Sequence, residues 1–258
     1  MINLFLKVKM CPKLKSGYIL LLCTALLFSG CGSTSSENIK SKAIHARINV
    51  KGDNNSTKVD VSLTVGSASG TAVVLRGSDS LKATARGTTQ TLTKSQGLFG
   101  DVDYTTTFNF NVPDTEIVVN LDRPDDTSCP NSRLPMPDPF TVTSPASAQT
   151  FTSQGTVPVT WTPAGPSSGT VDLKFSTRCT NASGAAVNFS RTFTPPDSGT
   201  ISIPAAGVLP TESYDTTKLC SSDVEISRTA NGTLDPNYGE GGSITGTQSR
   251  TVSIFLQQ

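Results

Sequence analysis

Reactive side chains are scarce in this 258-residue chain, and few are spaced for chemistry. A Ser-His-Asp hydrolase would have to use His45, the single histidine, as its base. No Gly-x-Ser-x-Gly turn stands ready to present a nucleophile to it, so His45 reads as an ordinary strand residue. Zinc hydrolysis needs several nitrogen or sulfur ligands, which one histidine and no Cys-x-x-Cys spacing do not supply. Phosphate-cradling glycine loops are missing too, which removes support for nucleotide chemistry. Two carboxylates alone can hydrolyse a glycoside. The nearest pairs, Asp101 with Asp103 and Asp125 with Asp126, read as solvated turn formers. Residues 231–242, NGTLDPNYGEGG, offer the oxygens of Asp235, Asn237 and Glu240 as weak calcium candidates. That spacing departs from an EF-hand loop and Pro236 interrupts it, so a hairpin loop is the first reading. No catalytic residue and no cofactor is expected, and the chain is expected not to be an enzyme.

The N-terminus carries a different kind of signal. Lys7, Lys9, Lys13 and Lys15 precede an apolar run at residues 18–28, and Ser29 and Gly30 lead into Cys31. A basic start, a short apolar stretch and small residues before a cleavage point make a secretory signal. The apolar run falls well short of the roughly 20 residues that span a bilayer. Residues 27–31, LFSGC, resemble the lipobox of bacterial lipoproteins, with Phe28 in the place usually held by leucine. The resemblance implies that residues 1–30 are removed and that Cys31 becomes the acylated N-terminus, making the lipid the chain's contact with a membrane. Gly32 and Ser33 follow, with no aspartate, which by the same resemblance implies the outer membrane. Met10 offers an alternative start that keeps Lys13 and Lys15.

Cleavage there leaves 228 residues, and loss of four signal lysines leaves 17 basic against 20 acidic residues, a formal charge of −3. No block of like charge stands out, so nucleic acid is not an expected partner. Cys129, Cys179 and Cys220 remain in an oxidising compartment. Cys179 ends a strand-like run and Cys220 opens another, so a disulfide between them is expected. Cys129 paired with either one is the alternative.

Residues 31–42 are small and polar after Cys31 and read as a flexible tether. Beyond them the apolar residues repeat with period two, as in Val59, Val61, Leu63 and Val65, or Tyr104, Phe108 and Phe110. A first β-sandwich is therefore expected over residues 43–123. Five prolines within residues 122–139 mark a Pro-rich linker, 124–139. The second unit, 140–258, shows short strands at 157–161, 171–177, 187–193, 200–204, 224–228 and 250–256. The alternation sends Trp161, the single tryptophan, into a core. Short strands with turns between them predict two packed antiparallel sheets. Residues 157–163, VPVTWTP, resemble the second strand of immunoglobulin-like and fibronectin type III modules, with Tyr214 as the nearest tyrosine-corner candidate. The fold class expected is all-β, with two immunoglobulin-like antiparallel β-sandwich domains. The function expected is that of a lipid-anchored, non-enzymatic cell-envelope protein for adhesion, scaffolding or protein interaction, with an envelope protein as partner. A carbohydrate- or calcium-binding surface module is the alternative.

Overall fold

Alternate side chains of a strand point to opposite faces, so a period-two pattern needs two sheets to bury its apolar side. The computed structural model describes residues 32–97, 101–165 and 169–258. Within them the first half carries β1 (Thr34–Ser35), β2 (Ile44–Gly52), β3 (Thr57–Val65), β4 (Val73–Val74), β5 (Ser80–Ala85), β6 (Thr88–Thr91), β7 (Thr93–Gln96), β8 (Val102–Phe108) and β9 (Glu116–Asp122). The second carries β10 (Cys129–Pro135), β11 (Thr141–Ser144), β12 (Thr150–Thr152), β13 (Thr156–Thr162), β14 (Asp172–Thr180), β15 (Ala186–Phe193), β16 (Thr200–Pro204), β17 (Cys220–Asn231) and β18 (Ser243–Gln257). The only helical segments among the described residues are short 3-10 turns. The protein is all-β.

One core lies between the sheet β10-β9-β5-β6 and the strands β2, β3 and β8, and it buries Ile48, Val61, Leu63, Leu81, Val119 and Phe108. The other lies between β11-β13-β16 and the strands β14, β17 and β18, around Trp161, Leu173, Phe175, Ile226 and Leu256. The two cores share a sheet. Its path runs β15-β14-β17-β18-β2-β3-β8-β7, with β12 beside β18. The first part of β18 pairs in parallel with β2, from Ser243 opposite Arg47 to Gln248 opposite Gly52. Its last part pairs with β12, while β17 follows it from Asn231 to Cys220. Accordingly Ile244 belongs to the first core, and Ile254 and Leu256 to the second. Fifteen residues at about 3.3 Å each make β18 a spine of about 50 Å.

Three expected boundaries are corrected. Of the tether expected at 31–42, residues 34–41 are not free: Thr34 and Ser35 pair with Val73 and Val74, and Ser36 and Ser41 are buried. Cys31 itself, with the signal residues 1–30, lies outside the described residues. The expected linker, 124–139, contains β10, which pairs with β9; Leu134 on it and Met136 just after it enter the first core. The two prolines of β10, Pro130 and Pro135, are tolerated because it is an edge strand. Pro130 sits where the register shifts between Cys129 and Ser132, and Pro135 ends the pairing. The unit expected at 140–258 also gives residues to the first core, namely Ala230, Leu234, Tyr238 and Ile244.

Candidate functional site

The residues singled out by type do not converge. His45 is buried on β2, with Nε2 2.9 Å from the Gly241 carbonyl oxygen, a hydrogen bond that requires the proton on Nε2. Asp101 and Asp103 are exposed, and Asp103 stands opposite Ser62 and Ser95 on the outer face of the shared sheet. Asp125 is exposed, whereas Asp126 turns inward.

The calcium candidates separate as well. Asp235 is buried, and its carboxylate accepts the backbone N–H groups of Asn131 at 2.8 Å and Asn237 at 2.9 Å. The Asn237 amide donates to the Ser128 carbonyl at 2.8 Å, while Glu240 is exposed. The loop is a structural clasp on β10 and β2, and it sits close to β2 because Gly242 has no side chain. A Cβ there would lie 2.5 Å from the Ala46 carbonyl oxygen. Trp161, the strongest aromatic for a sugar platform, is 3% exposed.

Cys179 on β14 and Cys220 on β17 form a disulfide across adjacent antiparallel strands, where Arg178 pairs with Ser221. Closing a separation of 41 residues restricts the unfolded chain by about 3–4 kcal/mol in the chain-entropy account. Replacing both cysteines with alanine is expected to lower unfolding free energy by that amount, read as a lower urea midpoint. Cys129 is a buried free thiol, and burial, with the nearby Asp235 charge, pushes its pKa up to about 12. A thiol reagent at pH near 8 is expected to find no reactive Cys129 in the folded protein and one after denaturation, since only the thiolate attacks. Beside it burial raises Tyr238 well above its ordinary value, and the Tyr238 hydroxyl has no hydrogen-bond partner among the described residues.

Two arginines that no motif marked organise the buried polar interior. Arg123 is 3% exposed at its side chain, and it donates from Nε to Asp79 at 3.0 Å and from Nη1 to Asp126 at 3.0 Å. It also donates to the Ser41 hydroxyl at 3.0 Å and the Ser36 carbonyl at 2.6 Å. Ser41 N–H in turn donates to Asp126 at 2.9 Å, and Arg76 N–H to the Ser36 hydroxyl at 3.0 Å. Residues 34–41 are thereby strapped onto the loops around Asp79 and Asp126. Backbone N–H groups of Thr127 and Ser41, with the charges of Lys40 and Arg123, hold the Asp126 carboxyl below its ordinary value.

Arg228, on β17, meets Asp197 through two bonds, Nε at 2.7 Å and Nη2 at 3.0 Å. It donates further to the carbonyls of Asp138 at 3.0 Å and Pro163 at 2.7 Å, and its guanidinium lies 4.7 Å from the Phe140 ring centroid. Trp161 Nε1 donates to the same Asp197 at 2.7 Å. Burial by itself would raise the Asp197 carboxyl, but the hydrogen bonds from Arg228 and Trp161 outweigh it and the pKa falls. With most of their donors spent on protein oxygens, both arginines serve as fasteners and have little left for a substrate. A carboxyl whose folded pKa lies below its unfolded value of about 3.9 stabilises the fold above that pH, and the contribution is lost as pH falls through the folded pKa. The melting temperature is therefore expected to hold level from near pH 8 to near pH 5 and to drop below about pH 4. Asp197→Asn is expected to soften that drop while melting lower at neutral pH.

No protein-family model and no curated protein matches the chain. Among solved structures it is similar to the FN1–FN3 domains of chicken CNTN1, at 11% identity and a TM-score of 0.23 over 82% of this chain and 67% of that one. It is also similar to the Yersinia pseudotuberculosis adhesin InvE, at 13% identity and a TM-score of 0.20 over 84% of this chain and 60% of the adhesin. A third is the Bacteroides ovatus SGBP-B of a mixed-linkage glucan utilization locus, at 11% identity and a TM-score of 0.19 over 89% of this chain and 68% of that one. Superpositions this loose assign no activity and no ligand to the chain.

Proposed function

We propose that the protein is a lipid-anchored, non-enzymatic component of the cell envelope. It holds an elongated β-surface for contact with another envelope protein, in adhesion or scaffolding. The observation that carries this reading is β18, which belongs to both cores. Any bending between the halves would break backbone hydrogen bonds in mid-strand, and such stiffness suits a spacer or a contact surface. The basic start, the short apolar run and LFSGC at 27–31 support acylation at Cys31. The two most buried arginine clusters support a non-catalytic role, because their acids and bases neutralise each other. Edge strand β15 leaves one row of backbone groups open to a partner.

Expression with the native signal, beside a Cys31→Ser variant, tests the anchor. A diacyl or triacyl mass increment at Cys31, lost with membrane fractionation in the variant, is the expected result. A soluble, unlipidated wild type would reject it. A photocrosslinker at Asn188 on β15 is expected to trap one discrete envelope protein in cells. Turnover of a substrate by the purified protein, abolished by one defined substitution, would reject the non-enzymatic reading.

A further inference from the structure

The strap changes how far an anchored body can stand from its lipid. Among the described residues, the first backbone hydrogen bond runs from Thr34 N–H to the Ala72 carbonyl, 2.8 Å. Gly32 and Ser33 alone separate Thr34 from Cys31, and three extended links reach only about 10 Å. A free segment to residue 43 would have reached about 40 Å. Lengthening the link means peeling off the strap, which would strip the Ser36 carbonyl and the Ser41 hydroxyl from the buried Arg123.

We propose that the pole formed by residues 34–41, 75–79 and 123–127 rests on the zwitterionic headgroup layer of the membrane that holds Cys31. This rests on the acylation of Cys31 proposed above. The surface of this pole is polar and carries both signs. Lys40 and Arg76 are exposed beside Glu37 and Asp125, around a cleft of about 260 Å³. Such a surface matches phosphate and choline or ethanolamine groups and has no apolar wedge to enter the acyl layer. The strand directions carry the other pole away. β2 runs from this pole toward the second core, parallel to β18, so the β14–β15 turn at 181–185 lies at the far end of the spine.

The test places one added tryptophan at either pole of the lipidated protein, in phosphatidylcholine vesicles with or without a headgroup nitroxide. Ser78→Trp is expected to lose most of its added emission to the nitroxide, and Ala182→Trp to lose none beyond the Trp161 baseline. Inserting about twelve Gly/Ser residues between Gly32 and Ser33, an added r.m.s. span of about 20 Å, is expected to restore the Ser78→Trp emission without releasing the protein. Equal quenching at both positions, no quenching at Ser78→Trp in membrane-bound protein, or quenching that survives the insertion would overturn the proposal. Intact mass reports acylation separately. Should the lipid be absent, protein beginning at Cys31 is coupled through it to a maleimide lipid and read with the same reporters, the buried Cys129 leaving Cys31 as the reactive thiol.

Discussion

Arg228→Ala is expected to lower the unfolding free energy by about 3–5 kcal/mol, the cost of leaving a buried carboxylate without its counter-charge. Asp197 is 3% exposed at its side chain and would keep Trp161 Nε1 as its strongest remaining donor. The carbonyls of Asp138 and Pro163 would lose their donors in the same substitution. Arg228→Lys is expected to recover only part of the loss, because an ammonium cannot reproduce a fork that reaches four acceptors at once. Urea unfolding at neutral pH measures both variants. A loss under about 1 kcal/mol for Arg228→Ala would mean that water reaches Asp197 freely.

Arg123→Ala is expected to cost about 3–5 kcal/mol globally by the same mechanism, since Asp79 is left buried. It should also have a local signature that Arg228→Ala lacks. The strap at 34–41 loses the guanidinium that binds Ser36 and Ser41, so limited proteolysis is expected to cut there first. The Ser41 hydroxyl also donates to the Thr127 carbonyl, two residues before Cys129, so Cys129 is expected to become reactive before the rest of the molecule unfolds. Thiol labelling that follows global unfolding alone would show that the strap is held mainly by its backbone pairing with β4.

Several features were legible from residue order because they depend on neighbours in sequence. Period-two alternation is a property of one strand, so the buried positions Val59, Val61 and Leu63, or Val157, Val159 and Trp161, follow from it directly. The Cys179–Cys220 pairing was accessible for a related reason, since each cysteine sits at the end of a recognisable strand. Alternation tells which side of a strand faces a core, but it leaves open which strand lies alongside. Residues 129–135 carry two prolines and look like a linker, yet their backbone pairs with β9 and their apolar side chains cover the first core.

Sequence alone thus determined the all-β class and the polar, reaction-poor composition, which are sums over local choices. The tertiary structure decided the rest. It made the expected tether a strap, put β18 in both cores and joined Arg123 to Ser36 and Ser41 across more than 80 residues. It also joined Arg228 to Asp197 across 31 residues. The physical reason is that a charged side chain is buried only where distant segments supply its partners together, and strand register, not local spacing, brings those segments into contact.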